Sequence, residues 1–104
     1  MRIYVAGPYS QGDVRENVAR AIAIGNVIAR RGHTPFIPHL THFWHLQHPH
    51  PVGFWYAQDM EWLRQCDALY RIPGPSEGAD NEVAECLRLG RPVFTELEEI
   101  PGSI

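Results

Sequence analysis

The sequence lacks most of the features that tie a chain to a membrane, a metal or a duplex. No apolar run approaches the roughly 18 residues of a spanning helix, and the opening MRIYVAGPYS has no signal-peptide core. The expectation is a soluble, cytoplasmic protein with no membrane partner. A formal charge of -3 gives no basic footprint, so duplex nucleic acid is not an expected partner and any nucleotide bound is a small molecule. There are only two cysteines, Cys66 and Cys86, without metal-type spacing; they read as buried thiols rather than a disulfide. Neither HExxH nor GxGxxG is present, so a catalytic zinc and a dinucleotide cofactor both lack their signatures. No cofactor and no metal are expected. The 104 residues fit one domain, near the commonest domain size.

What is present alternates between strand and helix. Arg2 to Ala6 (RIYVA) is a β-branched and aromatic run without alternation, as in a central strand covered on both faces. Gly7-Pro8 ends it. Asp13 is a candidate N-cap with Glu16 three residues on, and Val14, Val18, Ala21, Ile22, Gly25, Ile28 and Ala29 recur at helical spacing. Arg30, Arg31 and Gly32 close that helix. His33 to Pro38 gives a second strand, with its prolines near the ends. His39 to Pro51 (HLTHFWHLQHPHP) holds five of the six histidines, spaced to line up loosely on a helix or 3₁₀ stretch. Val52 to Gln65 is helical, Asp67 to Ile72 a third strand, Gly78 to Leu89 a third main helix, and Arg91 to Thr95 a fourth strand. The tail from 96 to 104 is acidic and then Pro/Gly-rich, and is expected to be loose unless a partner holds it. The order βαβαβαβ predicts an α/β domain: an open parallel sheet of about four strands, Rossmann-like or flavodoxin-like, with helices on both faces.

In such a sheet ligands bind outside the carboxyl ends of the strands, and three βα turns fall at that edge. The stretch PGPSEGADNEV, from Pro73 to Val83, is the most informative. Glu82 is expected in the first helical turn, either as a reactive carboxylate or merely as a complement to the helix dipole with Asp80 as the cap. In the first turn, Gly7 allows close backbone approach to a ligand, or simply makes a tight turn; Tyr9 and Ser10 offer hydroxyls to it. On the second helical stretch Trp55, Asp59, Trp62 and Cys66 share a face. A carboxylate there needs a partner, an arginine at the helix edge, or a task. Tyr4, if buried, needs a partner for its hydroxyl. Two carboxylates and a phenol suit glycosyl transfer, and equally a structural network. The histidine-rich segment, with Phe43 and Trp44, reads as a stacking surface over a ligand or a second subunit rather than as a metal site, with His42 and Trp44 as candidate ligand contacts.

Three segments carry a family resemblance: IYVAGPYS near the start, QDMEWLRQCDALYRIPG in the middle and PSEGADNEV before the last main helix. Together, spanning most of residues 2 to 95, they resemble the nucleoside 2-deoxyribosyltransferase-like superfamily, in particular its small members, and also the deoxynucleoside 5'-monophosphate N-glycosidases. The resemblance implies a Rossmann-like fold and cleavage or exchange of the N-glycosidic bond of a nucleoside or its 5'-monophosphate. Carried over by motif, Glu82 is the nucleophile, Tyr4 holds it and Asp59 serves the acid side. Ser76, in S-x-G-x-x-x-E with Gly78, stands where nucleotide-hydrolysing members bind a phosphate. The resemblance also implies a homodimer or larger homo-oligomer. The His-rich segment lies outside the pattern, and the chain stops soon after the fourth strand, where the transferases continue with another βα unit. The rival classes are a non-catalytic nucleotide-binding module of the same fold and, last, a His-dependent metallohydrolase.

Overall fold

A computed structural model describes residues 1–102 of the chain. Four strands, β1 (Arg2–Ala6), β2 (Thr34–Phe36), β3 (Ala68–Arg71) and β4 (Val93–Phe94), form one sheet in the order β2-β1-β3-β4. Every pairing is parallel, with Tyr4 opposite Phe36 on one side and Leu69 on the other. The expected open parallel α/β architecture is therefore the observed one. Alternation along β1 and β3 divides the core in two. Ile3, Val5, Ala68 and Tyr70 face α1 (Val14–Arg30), while Tyr4, Ala6 and Leu69 face α3 (Val52–Leu63) and α4 (Glu77–Arg88).

Helix α1 begins where the sequence placed it. The Asp13 carboxylate accepts from the N–H groups of Arg15 and Glu16 at 2.9 and 3.2 Å, and Gly32, at φ +92°, follows the last turn. Its buried stripe is narrower than the apolar spacing suggested: Val18, Ala21, Gly25 and Ile28 are inside, while Ile22 and Ala29 are exposed. Gly25 is a point of close approach, because a Cβ there would stand 2.3 Å from Cδ1 of Ile37.

The histidine-rich segment folds as a 3₁₀ turn (Pro38–Leu40) followed by α2 (Thr41–Gln47), and Pro51 caps α3. Among the described residues no helix is long and apolar enough to cross a membrane. Both cysteines are buried and unbridged.

Three boundaries differ from expectation. Ser76, not Asp80, caps α4: its Oγ accepts from the Ala79 N–H at 3.1 Å, while Asp80 pairs with Arg71 at 2.9 Å. Glu82 consequently lies in the second turn rather than the first. Strand β4 has only two residues; the Arg91 N–H before it donates to the Cys86 carbonyl at 3.1 Å rather than to a strand, and its Nη1 donates to the carbonyls of Arg64 and Cys66 at 2.6 and 2.7 Å. The segment after β4 is held by the fold itself. Glu96 and Glu99 form a capping box around a 3₁₀ turn (Leu97–Glu99), Ile100 is 1% exposed in the α1-side core, and His33 Nε2 donates to the Pro101 carbonyl. Of the expected loose tail, residues 103 and 104 lie outside the described residues.

Candidate active site

The α4 stripe that meets the sheet runs Ala79, Glu82, Cys86, so helical phase alone carries a carboxylate into an apolar layer. Glu82 is 8% exposed. It is met there by Tyr4, fully buried in the middle of β1, whose hydroxyl donates to Glu82 Oε2. The phenol thus has its partner, across 78 residues of sequence. Asp59 approaches the same pair from α3, and its charge bears on both. Its Oδ1 is buried with no hydrogen-bond partner, and no arginine forms an ion pair with it among the described residues. Of the two alternatives, the helix-edge ion pair is not found among the described residues, and Arg64, the arginine on that stretch, turns to Glu61 and Glu85.

The electrostatics follow from burial. Loss of water pushes the Glu82 carboxyl up to about 7, with the Tyr4 hydrogen bond and the Arg71 charge pulling down and the Asp59 charge pushing up. Burial likewise pushes Asp59 up to about 7. Tyr4 is held well above its ordinary value by burial and by the Glu82 carboxylate, so it remains a donor. Burial and the repulsion between them oppose ionisation of both carboxyls at once. The phenol stabilises the anion on Glu82, and Asp59, which has no donor, is the better place for the proton. Two carboxyls in unlike surroundings, one bonded to a phenol and one without a donor, thus share a single buried site.

The remaining candidates sort into three places. At the first βα turn Gly7 is buried, and a Cβ on it would stand 2.8 Å from Cβ of Ile72. Its small size lets the first βα turn pack against Ile72 after β3. Tyr9 and Ser10 are exposed, and the Tyr9 hydroxyl lies 2.7 Å from His42 Nδ1. Two residues that the sequence did not single out build this corner. Asn17 donates to the carbonyls of Tyr9 and Gln11 at 2.9 and 2.8 Å, and His39, 5% exposed, donates from Nε2 to the Pro8 carbonyl at 3.0 Å. His39 Nδ1 has no partner, and burial lowers the ring's affinity for a second proton.

At the α4 end, Ser76 is half-buried and Gly78 exposed, with nothing within 4 Å of a Cβ on Gly78. The residue overlooked here is Arg71, the last of β3, whose guanidinium donates to the carbonyls of Ile72 and Gly74 and to Asp80.

Trp44 belongs to a third place. Its ring meets Trp55 at 4.8 Å in a cluster with His45, His50 and Phe54, where Trp55 Nε1 donates to His45 Nδ1 at 2.8 Å. It also lines an open groove of about 310 Å³ with Phe36, Ile37, Leu40 and Thr41. Phe36 links that groove to the carboxyl pair, standing 5.5 Å from the Tyr4 ring and stacking on Trp62 at 5.2 Å. Neither carboxyl lines the groove. Among the described residues no three His, Cys, Asp or Glu side chains gather as metal ligands would.

A family profile described as a domain of unknown function, DUF7768, matches residues 1–96. The chain belongs to the DUF7768 family. Among solved structures, the DUF7768 chain is similar to a 2-deoxyribosyltransferase from the psychrotolerant bacterium Bacillus psychrosaccharolyticus, with a TM-score of 0.62 and 23% identity over 93% of this chain and 76% of that one. It is also similar to a 2-deoxyribosyltransferase from Leishmania mexicana, with a TM-score of 0.64 and 21% identity over 88% of this chain and 61% of that one. At these identities the likeness is one of fold, and the DUF7768 chain spans less than two thirds of the Leishmania protein. No curated protein matches it.

Proposed function

We propose that this DUF7768 chain cleaves or exchanges the N-glycosidic bond of a nucleoside or its 5'-monophosphate, with Glu82 as nucleophile. The observation that carries the reading is the buried Tyr4–Glu82 pair with the unpartnered carboxyl of Asp59 beside it. Ionised Glu82 attacks the anomeric carbon as the bond to the base nitrogen breaks. The electron pair leaves with the base, which takes its proton from Asp59, and a glycosyl ester remains on Glu82. Water, or a second base, then attacks the same carbon from the vacated face. Asp59 recovers a proton, Glu82 is released and configuration is retained. The Tyr4 hydroxyl holds one oxygen of Glu82 and leaves the other free to react.

Around this centre Tyr9, Ser10, His42 and Trp44 are proposed to contact the substrate from the first two βα turns. Ser76 spends its acceptor on the Ala79 N–H but keeps its O–H free, and with the α4 start at Gly78 it offers donors to a 5'-phosphate. Pairing of Asp80 with Arg71 draws that carboxylate aside. Gly7, besides packing on Ile72, is proposed to let the backbone of the first turn come close to the ligand. The likeness in fold to two 2-deoxyribosyltransferases supports the reaction class. A cytoplasmic homo-oligomer belongs to the same reading: Phe43, Trp44, Leu46 and Val52 leave an aromatic and apolar surface on α2–α3 that a second copy would cover.

The test is to incubate the protein with a panel of nucleosides and nucleoside monophosphates and to measure free base by chromatography. Glu82→Gln keeps the shape and removes the charge, so turnover of the best substrate should fall at least about 10³-fold with the fold intact. A folded variant that releases base at close to the parent rate overturns the mechanism. Tight nucleotide binding without turnover by the parent would make the binding module the better reading.

A further inference from the structure

Pro8 is buried in the first βα turn and, having no N–H, leaves only its carbonyl to be paired. Its partner comes from the second turn. His39, 5% exposed in the 3₁₀ turn that follows β2, donates to it from Nε2 at 3.0 Å. The Pro8 ring meets the third turn, so closely that a Cβ on Gly74 would stand 2.8 Å from Cγ of Pro8. The first turn is thus held by both of the others, through a buried hydrogen bond from one and packing against the other. Tyr9 follows directly. Its carbonyl accepts from the Asn17 amide at 2.9 Å, its ring stands edge-on to that of His39 with 6.2 Å between centroids, and its hydroxyl lies 2.7 Å from Nδ1 of His42.

We propose that His39 is a positioning residue for the substrate: it clamps the first βα turn to the second, and so fixes where Tyr9 and Ser10 stand against His42. This rests on the reading of these turns as the nucleoside-binding edge. His39 holds the corner and leaves contact with the substrate to its neighbours. A carbonyl can only accept, so Nε2 carries the ring proton and a neutral imidazole suffices for the clamp. Nδ1 has no partner and takes no part in it. The hydrogen bonds of His39 and Tyr9 do not reach Tyr4, Glu82 or Asp59 among the described residues, so the clamp bears on binding and not on the bond-breaking step. A loosened clamp should therefore appear in KM and leave kcat in place.

The test separates the two ring nitrogens by shape. His39→Gln carries an amide N–H at about the reach of Nε2, His39→Asn places its amide near the position of Nδ1 and falls short of Pro8, and His39→Leu keeps bulk without a donor. The full-length chain is assayed for base release from the common 2'-deoxynucleosides and their 5'-monophosphates. His39→Leu and His39→Asn should raise KM about 10-fold with kcat within about 3-fold, while His39→Gln should keep KM within about 3-fold of the parent. A merely structural histidine would lower Tm in the Leu variant and leave the KM of the folded enzyme unmoved. The joint itself is followed in the full chain without substrate, by nuclear Overhauser effects between the Tyr9 and His42 rings. These should weaken in His39→Leu and His39→Asn and persist in His39→Gln. The inference is overturned if KM is unmoved in both the Leu and the Asn variants, if kcat falls while KM holds, or if the ring contacts persist in His39→Leu. It is also overturned if Asn rather than Gln preserves KM, which would make Nδ1 the working nitrogen. If His39→Leu does not fold, the contrast between Gln and Asn still decides. The ring contacts need no turnover, so a chain that releases no base from these compounds ends the glycosidase reading while the clamp is still tested.

Discussion

Glu82→Gln should make the protein more stable at pH 8 and nearly neutral in its effect at pH 5. The Glu82 carboxyl binds its proton more tightly in the folded chain, at about 7, than at its ordinary value of 4.5, because burial penalises the charge. Below about pH 4 both folded and unfolded chains are protonated and folding incurs no penalty. As pH rises towards 7 the unfolded chain releases its proton first, so the unfolded state gains and stability falls. With about 1.4 kcal/mol for each pH unit between the two titration points, one such group costs roughly 3 kcal/mol by pH 8. Asp59 is displaced in the same direction, but the two repel each other, so their costs do not add in full. Replacing Glu82 by glutamine removes its own cost and relieves Asp59 of a neighbouring charge. The new amide must find a place, so a net gain of about 1 to 2 kcal/mol at pH 8 is the expectation, or about 4 to 16 °C in Tm for a domain of this size. Urea unfolding at pH 5, 6, 7 and 8, followed by circular dichroism, measures it. Glu61→Gln, at a side chain 77% exposed, is the control and should leave the slope with pH unchanged. If Glu82→Gln showed the same loss of stability between pH 5 and 8 as the parent, Glu82 would be titrating as in water and the argument for a dry site would fail.

Three further outcomes are expected. Tyr4→Phe keeps the ring against Phe36 but deletes the donor to Glu82, so the acid limb of the rate profile should shift upward and kcat/KM fall by about 10- to 100-fold; an unchanged limb would show that the hydrogen bond does not set the charge. Ser76→Asp should still cap α4, yet lose affinity for a nucleoside monophosphate far more than for the nucleoside, as read by calorimetry; equal losses would show that no phosphate is bound there. Ile100→Ala should cost about 2 to 4 kcal/mol in urea unfolding, since its side chain sits in the core beneath α1, and a cost below about 0.5 kcal/mol would return the segment to a loose tail.

The sequence was most legible where local chemistry and global packing agree. RIYVA reads as a central strand and is one; Asp13 and Gly32 bound α1 because capping needs only neighbouring residues. The pairing of Tyr4 with Glu82 was open to motif reasoning, but the depth of Glu82 was not. That depends on helix phase, set by Ser76 as the cap, and a start at Asp80 puts Glu82 in a different turn. Arg71 and His39 escaped because their partners are backbone carbonyls, Gly74 for one and Pro8 for the other, and nothing in the residue types of a turn announces which carbonyls will be free. At Gly7 a small residue in a turn is equally suited to a ligand and to a neighbouring side chain, and only the structure shows that Ile72 is the neighbour. Ile100 and Leu97 are two apolar residues among glutamates, too few to set a periodicity, and the core they meet beside α1 is built from distant parts of the chain.

The crossing of α1 over β2 gives the far side of the molecule a say in the site. Gly25 leaves room for the end of Ile37, and Ile37 is followed at once by the 3₁₀ turn that carries His39 and leads to His42. Any side chain at position 25 would act as a spacer: Ile37 would have to turn away or rise, and the corner formed by Tyr9, His39 and His42 would be lifted with it. If the proposed substrate contacts at that corner hold, substrate preference would be adjustable from a position on the far helix, with a methyl group as the unit of adjustment.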